Sequence, residues 1–337
     1  MVRASIAGTG LYAPEKIVDN AFFNKKYDRD MDTFLREQRN IYHRHFMSED
    51  QATSDLIIPA AEEAMKNAGV TAADINLLIV STDTPDYISP STASVVQHKM
   101  GLVKAGTFDI NTACAGFVTA TDIASKYIMA DERYENILVT GAYGMSKFFD
   151  WSDHKVTSVF ADGAGAAVIR RAPVADKGVE YGILASQLYT DGQYHDYMGI
   201  YAGGTKTPIS EQSVAERRHL LQFVKRIPPE TNGIHWPRLT STILDRVNAT
   251  VADVKHFFFT QININSIVET MNKLGAPLEK AHNIMDRFGY TGSACIPMAI
   301  ADAARVHKLK KGDLVMVLGS GGGMSMAAMA IRWSYDT

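Results

Sequence analysis

Cysteine is almost missing from this chain, which has two in 337 residues, Cys114 and Cys295. Two thiols cannot build a secreted disulfide framework, and neither stands at metal-ligand spacing. The reading is a protein of the reducing cytoplasm with no bound metal or other cofactor. An excess of one charge is missing too: 34 Lys and Arg face 37 Asp and Glu, with no basic tract. That balance argues against an extended nucleic-acid footprint and points to a small ligand. The opening MVRASIAGTGLYAPEK has no apolar stretch long enough for a secretion signal before its glycines and Pro14. One long uncharged run, LVMVLGSGGGMSMAAMAI over 314–331, is close to the ~18 residues of a spanning helix. Its four glycines read instead as strand, turn and strand, so no membrane role is expected.

At ~150 residues per domain, this length fits two domains or one fold made of two halves. Internal repetition favours the second. ADINLLIVST over 73–82 resembles ADVKHFFFTQ over 252–261, an offset of 179, and NILVTGAYGMS over 136–146 resembles VMVLGSGGGMS over 315–325 at the same offset. Each half also has a turn ending in Ala-Cys, Ala113-Cys114 and Ala294-Cys295, a third match displaced by two residues. The predicted halves are 1–172 and 173–337, and without a Pro-rich or Gly/Ser-rich linker they should share one core. Apolar runs such as LLIVST, GAAVIR and HFFFTQ alternate with helical patterns over 55–68 and 91–100, which implies α/β layers with buried strands. The least regular stretch, 190–236, is rich in Tyr, Gly and Pro and reads as loops around a site.

Chemistry centres on the cysteines. TFDIN leads to a small-residue turn and then a helical pattern that starts just after Cys114, so its sulfur should lie at a helix N-terminus, where free N–H groups favour thiolate. Cys295 has a similar setting with Pro297 in the first helical turn. Local pattern does not choose between them. Gly8-Thr-Gly10-Leu-Tyr-Ala13 fits GxGxxA, but Pro14 stops it from opening a nucleotide-binding helix. The glycines of 319–323 lack the Lys-Ser/Thr of a P-loop and read as close packing or as N–H groups for an oxyanion. DGAGAAV over 162–168 reads as a turn entering a tightly packed strand.

DINTACAGF around Cys114, DWSDHKVTSVFADGAGAAV over 150–168 and VLGSGGGMS over 317–325 together resemble the thiolase-fold condensing enzymes, specifically β-ketoacyl-ACP synthase III. The resemblance covers nearly the whole chain. It implies a five-layer αβαβα thiolase-like fold built from two duplicated halves. It also implies that Cys114 is the nucleophile and Cys295 structural, with the N–H groups of Cys114 and Gly322 as oxyanion hole. The family's His and Asn, from His-Gln-Ala-Asn and Gly-Asn-Thr motifs, are replaced. Gapless matching outward from Lys273-Leu-Gly275 puts Thr260 at the first and Tyr290 at the second. His256 and His282 read as core or surface residues rather than substitutes. Losing one such donor costs about 3 kcal/mol of transition-state stabilisation, so ordinary decarboxylative condensation should suffer while acyl loading survives.

The resemblance further implies that Phe34 stands for an adenine-stacking Trp, that Gln38 and His154 replace CoA-contacting arginines, and that Asn265 replaces a carrier-docking base. Ser89, before Pro90-Ser91, takes the place of a bulkier gate residue and leaves room for a longer or branched acyl group. The leading expectation is an acyltransferase loaded on Cys114 from acyl-CoA, with acyl carrier protein as a further partner. It should be a homodimer that pairs the strand near Asn136 and Gly141 across a twofold axis. A second reading keeps β-ketoacyl synthesis, with Thr260, Asn263 and Tyr290 as a different hydrogen-bond set. A third is a catalytically silent partner subunit.

Overall fold

Two glycines in the first strand decide how its covering helix sits. β1 (Val2–Tyr12) carries Gly8 and Gly10, and a Cβ on Gly10 would lie 2.2 Å from the Ala60 carbonyl oxygen of α1 (Thr53–Ala68). The GxGxxA pattern is therefore packing: the alanine-rich face of α1, including Ala60, Ala61 and Ala64, beds directly on the strand. The computed structural model describes residues 2–337 except Val174 and Lys177.

β1 opens a five-stranded sheet whose other members are β2 (Leu77–Ser81), β3 (Gly106–Ile110), β4 (Asn136–Tyr143) and β5 (Gly163–Pro173). Their order is β1-β5-β4-β2-β3, with β2 parallel to both β3 and β4 and β5 antiparallel to its neighbours. The second sheet, β6 (Gly182–Thr190), β7 (Val254–Phe259), β8 (Leu314–Gly321) and β9 (Ser325–Arg332), runs β6-β9-β8-β7, the same order without an equivalent of β3. The uncharged run at 314–331 is thus the β8–β9 hairpin, and among the described residues no helix is long and apolar enough to cross a membrane.

Two helices lie between the sheets, α3 (Gly116–Ala130) and α6 (Cys295–Arg305); α2 (Thr92–Met100) comes before the first of them in the chain, and α4 (Thr231–Arg246) and α5 (Ile264–Leu274) come between the two. Residues 295–303 of α6 are all buried, as a helix with protein on every side requires. α1 and α2 cover the outer face of the first sheet and α4 that of the second, with α5 packed against α4, which gives five layers, α/β/α/β/α.

The strand expected at the dimer axis needs correction. β4 is an interior strand, bonded to β5 on one side and β2 on the other, so it has no edge to offer a second chain. The open edge is β3, whose residues are only partly buried. A sheet edge is set by the order in which crossovers return strands, and local sequence does not carry that order.

Close backbone contact also joins the inner layer to the first sheet. A Cβ on Gly165 of β5 would stand 2.6 Å from Met298 N and 2.7 Å from the Pro297 carbonyl carbon of α6. Gly165→Ala should therefore destabilise the protein by about 3 kcal/mol, read as a lower urea midpoint at unchanged m. An unchanged midpoint would show that α6 can move away at no cost.

Candidate active site

The turn bearing Cys114, the expected nucleophile, is Ala113–Ala115, a single 3-10 turn that feeds α3, with Ala113 at φ +46°. Its counterpart is Gly292–Ala294, where Gly292 has the same φ of +46° and leads into α6. Both turns keep the offset of 179, so Cys114 corresponds to Ser293 and Cys295 to Gly116. The Ala-Cys match displaced by two residues is a coincidence of residue type. The paired turns touch: Ser293 Oγ lies 3.3 Å from the Ala113 carbonyl oxygen and 3.2 Å from Asp83 Oδ1.

Gly321, at the end of β8, completes this contact, since a Cβ there would lie 2.6 Å from Cys114 N. That approach carries the next residue, Gly322, to the wall of a cavity of about 750 Å³ whose lining also includes Cys114, Tyr290 and Asn263. The outer end of the cavity is cationic, with Arg29, Arg39, Lys155, Lys225 and Arg226 against one carboxylate, Asp30, among the described lining residues. Phe34 lies at this end under the Arg39 guanidinium, 5.4 Å from ring centre to Cζ. His154 also lines the cavity, 3.2 Å from Arg29 Nη1. The irregular stretch contributes Met198 and residues 223–229, with the Met198–Gly199 and Gln222–Phe223 strands paired.

Other expected site residues lie elsewhere. Gln38 is exposed and accepts a hydrogen bond from Asn265 Nδ2 at 3.1 Å, outside the lining. Ser89 is exposed on the loop after β2 and does not reach the cavity from its own chain. Thr260 is buried behind the wall: its Oγ1 accepts from Ser320 N at 2.9 Å, and its hydroxyl hydrogen-bonds the Cys295 sulfur. Asn263 caps α5 by accepting from Asn265 N at 3.0 Å and borders the cavity. His282 is tied to Asp302 at 2.8 Å, and His256 faces Asp313 at 3.7 Å; neither lines the cavity.

Tyr290 is the replacement that reaches the sulfur. Its backbone is pinned to 159–161 by hydrogen bonds of 3.0 and 2.9 Å, and its ring packs 5.1 Å from that of Phe160. Burial lifts the phenol well above its usual pKa, so it remains a donor, and its hydroxyl hydrogen-bonds the Cys114 sulfur.

The electrostatics reverse one expectation. Burial first, then the Asp83 and Cys295 charges, push the Cys114 thiol well above its ordinary value; the Tyr290 hydroxyl and the residue's own N–H only partly oppose them. Desolvation of the anion outweighs the helix N-terminus, so the resting group is a thiol. Cys295 is likewise raised by burial, to about 12.

Sequence reasoning missed Asp83. Burial raises its carboxyl to about 6, with its own N–H and Ser293 opposing. It precedes Cys114 by 31 positions in a loop without a motif, and only the tertiary contact through Ser293 singles it out.

The comparisons agree with this architecture. Residues 108–192 match the family described as 3-oxoacyl-[acyl-carrier-protein (ACP)] synthase III, and residues 244–333 match its C-terminal part. Beta-ketoacyl-[acyl-carrier-protein] synthase III of Fusobacterium nucleatum is 34% identical over 339 residues, covering 99% of this chain and 100% of that protein. The Clostridioides difficile protein of the same name is 35% identical over 332 residues, covering 98% and 99%. The crystal structure of 3-oxoacyl-[acyl-carrier-protein] synthase III from Aquifex aeolicus superposes with a TM-score of 0.86 at 28% identity, covering 98% of this chain and all of that one. With its paired sheets, its helix-borne cysteine and this similarity along its whole length, the chain belongs to the 3-oxoacyl-[acyl-carrier-protein] synthase III family of thiolase-fold condensing acyltransferases.

Proposed function

We propose that Cys114 takes an acyl group from acyl-CoA and passes it to an acceptor that enters by the same cavity. The carrying observation is the cavity itself, which runs from a rim of five cations to a buried sulfur. Guanidinium and ammonium groups suit the phosphates of CoA or of a carrier protein's phosphopantetheine arm. Phe34 offers a ring for a base to stack on. At the inner end, attack by sulfur on a thioester carbonyl creates an oxyanion. The N–H groups of Cys114 and Gly322 are its proposed donors.

Acyl loading and condensation make different demands. Loading needs the nucleophile and an oxyanion hole, whereas decarboxylating a malonyl group needs donors aimed at the developing enolate. The Thr260 hydroxyl is engaged with Ser320 N and Cys295, which weighs against the reading that uses it in a substitute hydrogen-bond set. Tyr290 can still donate to the sulfur. The chain acts in the cytoplasm as a homodimer joined at β3, where a second copy would satisfy the open sheet edge.

Incubation with acyl-CoAs of graded length and intact-mass measurement should show one adduct, lost in Cys114→Ala and kept in Cys295→Ala. Loss in Cys295→Ala alone would reverse the assignment.

Carbon dioxide release from malonyl-ACP should be slow in the loaded wild type and faster in the Thr260→His, Tyr290→Asn double variant at matched loading. Wild-type turnover of ~10 per second would refute impaired condensation. In solution the protein should scatter light as two chains at micromolar concentration; the mass of one chain would remove the β3 pairing.

A further inference from the structure

A buried thiol must lose its proton as it attacks, and the family's histidine is absent. The groups acting electrostatically on Cys114, Asp83 and Cys295, are acidic, so no thiolate waits in the resting site. Asp83 lies on the loop after β2, and its Oδ1 is 3.2 Å from Ser293 Oγ, the hydroxyl that also reaches the carbonyl of Ala113, the residue before the nucleophile. Thr84, the next residue in the loop, anchors it: its Oγ1 accepts from Gly144 N at 2.9 Å and its carbonyl from Thr53 Oγ1 at 2.6 Å.

We infer that Asp83 is the proton acceptor of this active site, taking the Cys114 proton as the sulfur attacks the acyl thioester. The inference rests on the acyl-loading reading above and adds the base which that reading lacks. The Cys114 S–H bond breaks while the bond from sulfur to the acyl carbon forms. The proton moves to the Asp83 carboxylate. When the tetrahedral intermediate collapses, the bond from carbon to the CoA sulfur breaks, and that thiolate takes the proton from Asp83. The products are acyl-Cys114 and free CoA thiol, with Asp83 restored.

The groups facing Asp83 leave its ionisation free for this task. Cys114 faces it from the nucleophile turn and Tyr143 from β4, with Tyr290 and Cys295 beyond them around the sulfur, and all four are held protonated by burial. Ser293 faces it from the second turn as a neutral hydroxyl. On its own loop, the Asp86 carboxylate is turned away to the Ser54 N–H at 2.9 Å. Asp83 itself changes charge near pH 6.

A spectator charge and a proton acceptor give opposite signs. If Asp83 were a spectator, its ionisation would raise the thiol pKa and slow loading above pH 6, and Asp83→Asn would speed it. As the acceptor, Asp83 must be ionised, so wild-type loading rises through about pH 6, and Asp83→Asn slows it roughly 100-fold at pH 7 and flattens the profile. The measurement is quenched-flow formation of acyl-Cys114 from acetyl-CoA and octanoyl-CoA, beside alkylation of Cys114 by iodoacetamide located by peptide mass. Equal or faster reaction in Asp83→Asn overturns the inference. If that variant fails to melt cooperatively, the wild-type profile decides, and a rate that falls or shows no inflection near pH 6 overturns it. If neither CoA thioester loads the wild type, the acyl-loading reading is at fault, and alkylation still tests Asp83.

Discussion

Everything at this active site depends on backbone pressing against backbone where the two halves meet. The turn bearing Cys114 is clamped between the Gly292–Ala294 turn and the end of β8, and the clamp closes because Gly319 and Gly321 present no side chain to Ala115 and Cys114. Neighbouring contacts follow the same logic. A Cβ on Gly141 would meet the Ser293 carbonyl oxygen at 2.3 Å, and one on Gly292 would enter the Tyr143 ring at 2.4 Å. Packed this closely, the turns have little freedom to move, and the sulfur is fixed relative to both sheets.

That tightness has an electrostatic consequence. It strips water from the sulfur, from Asp83 and from two phenols, so burial shifts each of them towards its neutral form, while the cations stay at the mouth. For the acyl-CoA of the proposed function, this division holds the anionic parts where water remains and admits only the thioester to the dry end. In low dielectric a few aimed N–H dipoles outweigh what they would contribute in water.

The sequence disclosed the duplication because strands and turns recur at one offset, and periodic burial leaves a record in residue type. It misled at the cysteines, where chemical identity attracted attention to Cys295 while the geometric partner of Cys114 was Ser293, related by a shared φ of +46° rather than by composition. Strand order stayed hidden for a related reason, since the return of each crossover is not written in local sequence and only the assembled sheet shows β4 inside and β3 at the edge. Asp83 was illegible because a carboxylate in a loop gains meaning from what desolvates it. The thiolate expected at a helix N-terminus failed on the same point: local sequence supplies the dipole, but the tertiary fold supplies the burial that overrides it.

Thr260 and Tyr290, which the resemblance sets at the family's two donor positions, are better understood together than singly. On that reading Thr260 stands where an imidazole would and Tyr290 where a carboxamide would, so a ring is lost at one position and gained at the other. Thr260 is short enough for its hydroxyl to bond both Ser320 N and the Cys295 sulfur. The Tyr290 ring occupies space beside Phe160 and brings its hydroxyl to Cys114. Close-packed interiors accept a volume lost at one wall when it is regained at the next, so the site remains filled although its chemistry has shifted. On the proposed function, the result is a chamber suited to holding an acyl thioester and stabilising its oxyanion, with the carboxylate across the turn that bears Cys114 as the inferred proton acceptor.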